Sequence, residues 1–154
     1  MPIEIDYFDF EKYTKFFKKL EQASRAQVVW VLTELEDSEF QQFLASDRVK
    51  SLGNELFELR ISKRPEVLVR IFFWFDRTGR LVVLHAYDKK KNNKISWQRI
   101  QVAEARKILK LLKTTGGTRA TRIRTYIFRN PACDLRRRRR YLHIRRSRSA
   151  RFIV

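Results

Sequence analysis

Apolar side chains at helical spacing dominate the first third of the chain and predict three helices there. Asp9 is a favoured N-cap residue, and apolar residues then recur at i, i+3, i+4 and i+7: Tyr13, Phe16, Phe17 and Leu20. Ser24 with Gln27, and Ser38 with Gln41, have the spacing of a capping box. These two pairs predict that a second helix and a short third helix begin there.

The pattern then changes to that of strands. Three segments rich in β-branched and aromatic residues, 56–61, 67–75 and 80–87, predict three strands, and a weak alternation over residues 2–7 predicts a short one at the start. The sequence Asp76-Arg77-Thr78-Gly79 joins the last two segments as a hairpin turn with glycine at the position of positive φ. Those two strands are therefore expected to be antiparallel neighbours.

A final helix is predicted to begin near Ser96. The residues expected to be buried along it are Ile100, Ala103, Ile108, Leu111 and Leu112. Helices followed by a strand meander are typical of an α+β fold. We expect N-terminal helices packed on one face of a small, mainly antiparallel sheet, with a C-terminal helix.

Charge divides the chain of 154 residues, whose formal net charge is +18, into two parts. Residues 1–113 carry 22 basic and 16 acidic side chains, whereas residues 114–154 carry 13 arginines, no lysine and one acid, Asp134. The junction Thr114-Thr115-Gly116-Gly117-Thr118 offers a helix stop and a flexible link. We therefore predict a folded domain over 1–113 and an Arg-rich extension over 114–154.

The extension has two candidate origins. Its abrupt change to arginine alone favours addition by frameshift or read-through, and a recruited RNA-binding arm is the alternative. Alternating segments at 124–128 and 141–144 are compatible with short strands.

Composition excludes several classes of protein. The single cysteine, Cys133, forms no internal disulfide, and with only His85 and His143 it cannot complete a four-ligand zinc site, so no metal or small-molecule cofactor is expected. The chain has no apolar run of the roughly 18 residues that a membrane span needs, and its start is acidic where a signal peptide is basic. We therefore expect a cytoplasmic protein without membrane contact, whose net charge favours a nucleic acid partner.

Alternation along the strands gathers polar side chains on one sheet face. It places His85 and Tyr87 on one face of the last strand with Leu81 and Val83, opposite a second set: Val82, Leu84 and Ala86. Arg60 lies opposite the apolar residues of its strand, and Arg70 shares a face with Leu68, Phe72 and Trp74. If the apolar sets cover the helices, the shared face collects Arg60, Arg70, His85 and Tyr87.

A lysine-rich loop, Asp88–Lys94, follows the last strand and contains Lys89, Lys90, Lys91 and Lys94. It precedes a helix N-terminus, where backbone N–H groups also favour an anion. Together with the polar sheet face, these cations suit metal-free RNA cleavage, which needs a base, an acid and stabilisation of extra negative charge on phosphate.

Structural roles compete with this interpretation. Arg60 could pair with Glu58 or Glu55, Arg70 could pair with Glu58 across the sheet, and the lysines could form a solvated loop.

Three motifs, in order, resemble the RelE/ParE toxin superfamily and within it the HigB or phage Gp49-like branch. They are LGNELFELR at 52–60, VRIFF at 69–73 and LHAYDKK at 84–90, and the resemblance covers about residues 10–113. The resemblance implies the toxin of a type II toxin–antitoxin system, a ribosome-dependent mRNA endonuclease that inhibits translation. Its implied partners are mRNA, the ribosome and a cognate helix-turn-helix antitoxin encoded beside it.

The resemblance also implies roles for individual residues. Arg60 and Arg70 would bind the scissile phosphate, and His85 or Tyr87 would transfer protons or stack on a base. The predicted catalytic set is Arg60, Arg70, His85, Tyr87 and Lys90, with RNA or ribosome contacts from Lys89, Lys91 and Lys94. Two alternatives stay open: a ParE-like toxin of the same fold that inhibits gyrase, and a non-enzymatic RNA- or DNA-binding protein.

Overall fold

The computed structural model describes residues 3–63 and 66–115. The elements follow the chain in this order: β1 (Ile5–Tyr7), α1 (Phe10–Lys18), α2 (Gln22–Asp37), α3 (Phe40–Leu44), β2 (Val49–Ser51), β3 (Phe57–Lys63), β4 (Val67–Phe75), β5 (Leu81–Asp88) and α4 (Ile95–Thr114). The segments 124–128 and 141–144, like Cys133 and His143, lie outside the described residues. None of the helices in the described part is long and apolar enough to cross a membrane.

The five strands form one sheet in the order β1-β5-β4-β3-β2. β1 pairs with β5 in parallel, and the other three pairings are antiparallel. The predicted hairpin is confirmed: Asp76 Oδ1 accepts hydrogen bonds from the backbone N–H groups of Thr78 and Arg80, and Gly79 has a φ of +82°. The α+β class with a mainly antiparallel sheet and the short first strand are therefore confirmed, whereas β2 was not predicted.

Both faces of the sheet are covered, which corrects the expectation of helices on one face. The first core packs α2 and α3 against one side of β4, including Val69, Ile71 and Phe73. The second core packs α4 against the other side, including Phe72 and Val82. β4 is apolar on both faces, so each face requires a covering layer.

Of the four predicted helix starts, those of α1 and α4 were correct, whereas the two predicted capping boxes were wrong. Asp9 caps α1, because its carboxylate accepts a hydrogen bond of 2.9 Å from the Lys12 backbone N–H. α2 begins at Gln22, which leaves Ser24 buried inside the helix instead of capping it. The hydroxyl of Ser38 donates to the Glu34 carbonyl at the end of α2, so it does not cap α3.

The buried stripe of α4 differs from the predicted one. Ile108 and Leu112 are buried as expected, but Ile100 and Leu111 are 57% and 54% exposed, and Ala103 is also exposed. The residues that face the sheet are Gln101, Ala105, Ile108, Leu109 and Leu112. A polar residue, Gln101, occupies an inward position, and an apolar pattern cannot identify such a position.

A β-bulge in β5 changes which residues share a face. Phe72 pairs with His85 and Phe73 pairs with Val83, so Leu84 has no partner in the register. Leu84 packs with Tyr87 in the α4 core, whereas Ala86 packs against the other core with Val83. The predicted grouping of Ala86 with Leu84, and of Tyr87 with Val83, was therefore wrong, because strict alternation ends at the bulge.

Candidate functional site

The arginine row consists of Arg60, Arg70 and Tyr87, which are paired across three neighbouring strands. Arg60 of β3 is the register partner of Arg70 of β4, and Arg70 is the partner of Tyr87 of β5. The next row along the same strands contains Glu58, Phe72 and His85. The sheet therefore brings together the four site residues that were predicted on its strands.

Glu58 is shared by the two arginines of this row. Its carboxylate lies 3.3 Å from Arg60 Nε through Oε2 and 3.7 Å from Arg70 Nε through Oε1. The pairing of both arginines with Glu58 was the competing structural role considered from the sequence. Glu55, the other candidate partner of Arg60, pairs with Lys113 instead. Two guanidinium groups and one carboxylate leave an excess of one positive charge in the pair of rows.

Arg70 is the less accessible of the two arginines. Its side chain is 11% exposed, compared with 40% for Arg60. Arg70 Nη1 also donates to the Val69 carbonyl at 3.1 Å and to Ser62 Oγ at 3.4 Å. Burial lowers the pKa of Arg70 and the nearby Glu58 carboxylate opposes that shift, but a guanidinium stays protonated at physiological pH. Arg70 is therefore a fixed, oriented cation.

The rings of Tyr87 and His85 both stack on Phe72. The ring centroids lie 5.8 Å apart for Tyr87 and Phe72 and 6.3 Å apart for His85 and Phe72. Burial raises the pKa of the Tyr87 phenol, the Glu58 charge raises it further, and Arg70 opposes the shift. Tyr87 is thus a neutral hydrogen-bond donor at physiological pH.

His85 is held from α4 by Gln101. Its Nε2 lies 2.6 Å from Gln101 Oε1, and the Gln101 side chain is buried. Burial lowers the pKa of His85, the Gln101 hydrogen bond raises it, and the charge of Lys12 lowers it again. Because the net shift is downward from 6.5, the neutral imidazole predominates at pH 7.

A cavity between α1 and β5 opens beside His85. Its lining includes Asp9, the N-cap residue of α1, and Lys12 of α1, and its aromatic wall includes Tyr13 and Phe16. Lys12 places a positive charge near His85, and the sequence motifs did not identify this residue. Lys12 and Gln101 are both far from His85 in sequence, so only the packing of α1 and α4 against β5 reveals them.

The loop lysines are held at a different place. Lys90 Nζ lies 3.0 Å from Glu21 Oε2, and Lys91 Nζ donates at 3.4 Å to the Lys19 carbonyl. Both ammonium groups therefore contact the junction of α1 and α2, and these contacts do not join them to the arginine row. Lys89 is tied through its backbone N–H to the Leu68 carbonyl, and Lys94 is the N-cap residue of α4.

The described residues contain no group of three or more histidine, cysteine or acidic side chains placed to hold a metal ion. What the site offers is a pair of guanidinium groups for an anion, a neutral imidazole and a neutral phenol. This combination fits the binding of a phosphate and the movement of protons at its oxygens.

Comparison with protein families shows that residues 15–108 match the model described as "Phage derived protein Gp49-like (DUF891)". The matched segment contains α2, β2 to β5 and most of α4, and with them every predicted site residue. A search of curated proteins found no match.

Proposed function

Since the chain belongs to the Gp49-like family, a branch of the RelE/HigB-like toxins, we propose that it is the toxin of a type II toxin–antitoxin system and cleaves mRNA on the ribosome. The observation that carries this proposal is the arginine row with its single shared carboxylate, beside His85 and Tyr87. A cationic pair next to one neutral proton acceptor and one neutral proton donor suits phosphodiester cleavage.

The proposed reaction is attack of a ribose 2′ oxygen on the adjacent phosphorus. His85 accepts the 2′-OH proton, the new P–O2′ bond forms, and the P–O5′ bond breaks. Tyr87 donates its proton to the departing 5′ oxygen, so that the products are a 2′,3′-cyclic phosphate and a 5′ hydroxyl. The opposite pKa shifts of the two groups support this division, because a base must be unprotonated and an acid protonated at the working pH.

Arg60 and Arg70 stabilise the negative charge that builds up on the phosphate oxygens. In this proposal the two guanidinium groups do what a metal ion does in other nucleases, and they offer forked donors that match the geometry of a phosphate. One residue, Ala86, lies between His85 and Tyr87 on β5. Side chains at positions i and i+2 of a strand lie on the same face, roughly 7 Å apart. In this proposal the reacting phosphate is placed within reach of both groups.

In this proposal the loop lysines contact RNA outside the reaction centre. Lys89, Lys91 and Lys94 lie around the loop before α4 and would bind phosphates of mRNA or of the ribosome. Lys90, which is paired with Glu21, would have to exchange that carboxylate for phosphate in order to act at the reaction centre. The proposal therefore assigns the largest effects to the arginine row and smaller ones to the loop.

The proposed protein partner is a small cognate antitoxin of the helix-turn-helix class. A nuclease that acts on cellular mRNA needs restraint, and a positively charged face suits an acidic or amphipathic segment. The antitoxin would reduce access to Arg60, Arg70 or the 89–94 loop, directly or by blocking entry to the ribosome.

The test is cleavage of a defined mRNA by the purified chain, with and without purified translating ribosomes, followed by mapping of the new 5′ ends. We expect cuts only in ribosome-bound mRNA, and loss of those cuts in Arg70→Met. Binding of RNA without cleavage would instead identify a non-enzymatic RNA-binding protein. Inhibition of gyrase supercoiling by a chain that leaves mRNA intact would identify a gyrase-inhibiting toxin.

A further inference from the structure

The contact between His85 and Gln101 bears on which ring nitrogen of His85 carries its proton. A neutral imidazole carries one proton, and which of its two nitrogens holds that proton depends on the partner of each. Here the partner of Nε2 is Gln101 Oε1 at 2.6 Å, an oxygen that can only accept. The contact is a hydrogen bond only if Nε2 carries the proton.

We propose that Gln101 is a positioning residue, which fixes His85 in the tautomer protonated at Nε2 and so leaves Nδ1 as the open proton acceptor. This inference uses the proposed function only for the role of Nδ1 in cleavage. The inferred tautomer is the one that fits the Gln101 amide with its oxygen toward Nε2, and it can be measured without any activity.

Three observations support a dedicated positioning role. Gln101 is 7% exposed and occupies an inward place on α4, where its neighbours in the buried stripe are apolar. A buried amide is costly unless it is hydrogen-bonded, so its pairing with His85 accounts for a polar residue at this place. The His85 ring is also stacked on Phe72 with an interplanar angle of 1°, which restrains the ring from the sheet side.

Burial, more than the charged groups around it, favours the neutral form of His85. Lys12 of α1 and Asp9, the N-cap residue of that helix, line the adjoining cavity with the ring, and Glu104 faces it from α4. Of these charges, that of Lys12 opposes protonation and that of Glu104 favours it, while burial opposes protonation most strongly. A neutral ring carries a single proton, which can sit on either nitrogen. We infer that the hydrogen bond to Gln101 keeps it on Nε2.

The direct test is nitrogen-15 NMR of the histidine rings in the full chain, because protonated and unprotonated ring nitrogens have well-separated shifts. The chain has two histidines, and His143→Gln assigns the His85 signals. We expect His85 above its pKa to show a protonated Nε2 and an unprotonated Nδ1. In Gln101→Leu we expect a mixture of both tautomers. A wild-type ring protonated at Nδ1, or unchanged tautomer populations in Gln101→Leu, would overturn the proposal.

Gln101→Glu separates positioning from simple packing. A carboxylate keeps an acceptor for the Nε2 proton and adds a negative charge, so we expect the wild-type tautomer together with a raised His85 pKa. Gln42 is an exposed glutamine of α3, on the opposite face of the sheet, and Gln42→Leu is the matched control. It should change neither the tautomer nor the pKa of His85.

Cleavage assays then connect the tautomer to activity. We expect Gln101→Leu to reduce the single-turnover rate, at a pH where His85 is neutral, in proportion to the fraction of molecules in which Nδ1 carries the proton and is blocked as an acceptor. Gln101→Glu should keep activity but move the acidic limb of the pH profile upward. If the NMR result holds and neither the wild type nor any variant cleaves mRNA, the positioning role stands and the proposed nuclease function is wrong.

Discussion

Arg60 and Arg70 are directly opposed on β3 and β4 and share the carboxylate of Glu58. Like charges opposite each other on a sheet repel, so this arrangement is unfavourable for folding unless a counter-charge lies between them. Glu58 supplies one negative charge for two positive ones. The remaining attraction is available to an anion, and a phosphate that bridges both guanidinium groups would relieve the repulsion.

Replacing Arg70 by methionine tests whether this attraction serves catalysis. Methionine fills much of the space of the arginine stem without the charge, and Glu58 keeps Arg60 as its partner. We expect cleavage on translating ribosomes to fall by more than tenfold, which corresponds to about 1.4 kcal/mol or more of transition-state stabilisation. Single-turnover cleavage and circular dichroism measure activity and folding.

Arg48→Met is the matched control for that variant. The half-exposed side chain of Arg48 pairs with Glu34 and lies over the ring of Trp30 at 5.1 Å. Its backbone carbonyl accepts a hydrogen bond of 2.7 Å from the Arg60 N–H, and Arg48→Met leaves this main-chain contact in place. Loss of the Arg48 side chain should leave cleavage within about twofold of the wild-type rate, a difference of less than about 0.5 kcal/mol. Full activity in a folded Arg70→Met protein would remove Arg70 from the reaction.

Glu58→Gln should destabilise the fold, because it leaves two opposed guanidinium groups without a counter-charge. The Glu58 and Arg70 side chains are 13% and 11% exposed, so water screens the repulsion only in part. We expect the free energy of unfolding to fall by about 2 kcal/mol in urea denaturation. Glu34→Gln, which breaks the exposed pair with Arg48, should cost less than about 1 kcal/mol, and equal costs would contradict the prediction.

Tyr87→Phe isolates the phenol hydroxyl. The phenylalanine ring keeps the stacking on Phe72, so stability should change little, whereas removal of the proposed proton donor should lower the single-turnover rate by roughly tenfold or more. Tyr7→Phe is a control with the opposite outcome. The Tyr7 hydroxyl is buried and hydrogen-bonded to Tyr13, so its loss should reduce stability and leave cleavage intact. An unchanged rate in Tyr87→Phe would exclude Tyr87 as the acid.

The parts of the fold that the sequence predicted are those in which local chemistry decides. The turn of the β4–β5 hairpin was predictable because Asp76 and Gly79 form it within one segment. The shared face of Arg60 and Arg70 followed from period-two alternation in uninterrupted strands. Neither feature depends on a distant element.

The parts that failed depend on neighbours distant in sequence. The bulge at Leu84 arises from the pairing of β5 with β4, which the sequence of β5 alone does not show. Strict alternation therefore placed Ala86 on the wrong face. Gln101 is an inward residue of α4 because His85 is there to receive it, and the apolar pattern instead selected the exposed residues Ile100 and Leu111. The roles of the predicted site residues stay predictions, because each role depends on contacts with the substrate.

The pH dependence of stability should report the environment of His85. Because burial lowers its pKa in the folded state, the unfolded chain binds the proton first as the pH falls below about 6.5. The contribution of His85 to stability is therefore complete above pH 6.5 and is lost as the pH falls toward its folded-state pKa. Urea denaturation at several pH values should show stability rising with pH through this window. His85→Gln should flatten that rise, and an identical slope in the variant would contradict the prediction.

Truncation tests the role of the Arg-rich extension. Both cores lie within residues 3–112 and α4 ends at Thr114, so a chain that stops after Thr115 retains every described packing contact. We expect it to fold and to keep residual ribosome-dependent cleavage. The extension carries 13 arginines, and if about six of them bind single-stranded phosphates, log affinity should fall with log salt at a slope near −4 for that contribution. The truncated chain should therefore bind RNA non-specifically with a flatter salt dependence. An unchanged slope would exclude the extension as an RNA-binding arm, and a truncated chain that does not fold would show that it belongs to the domain.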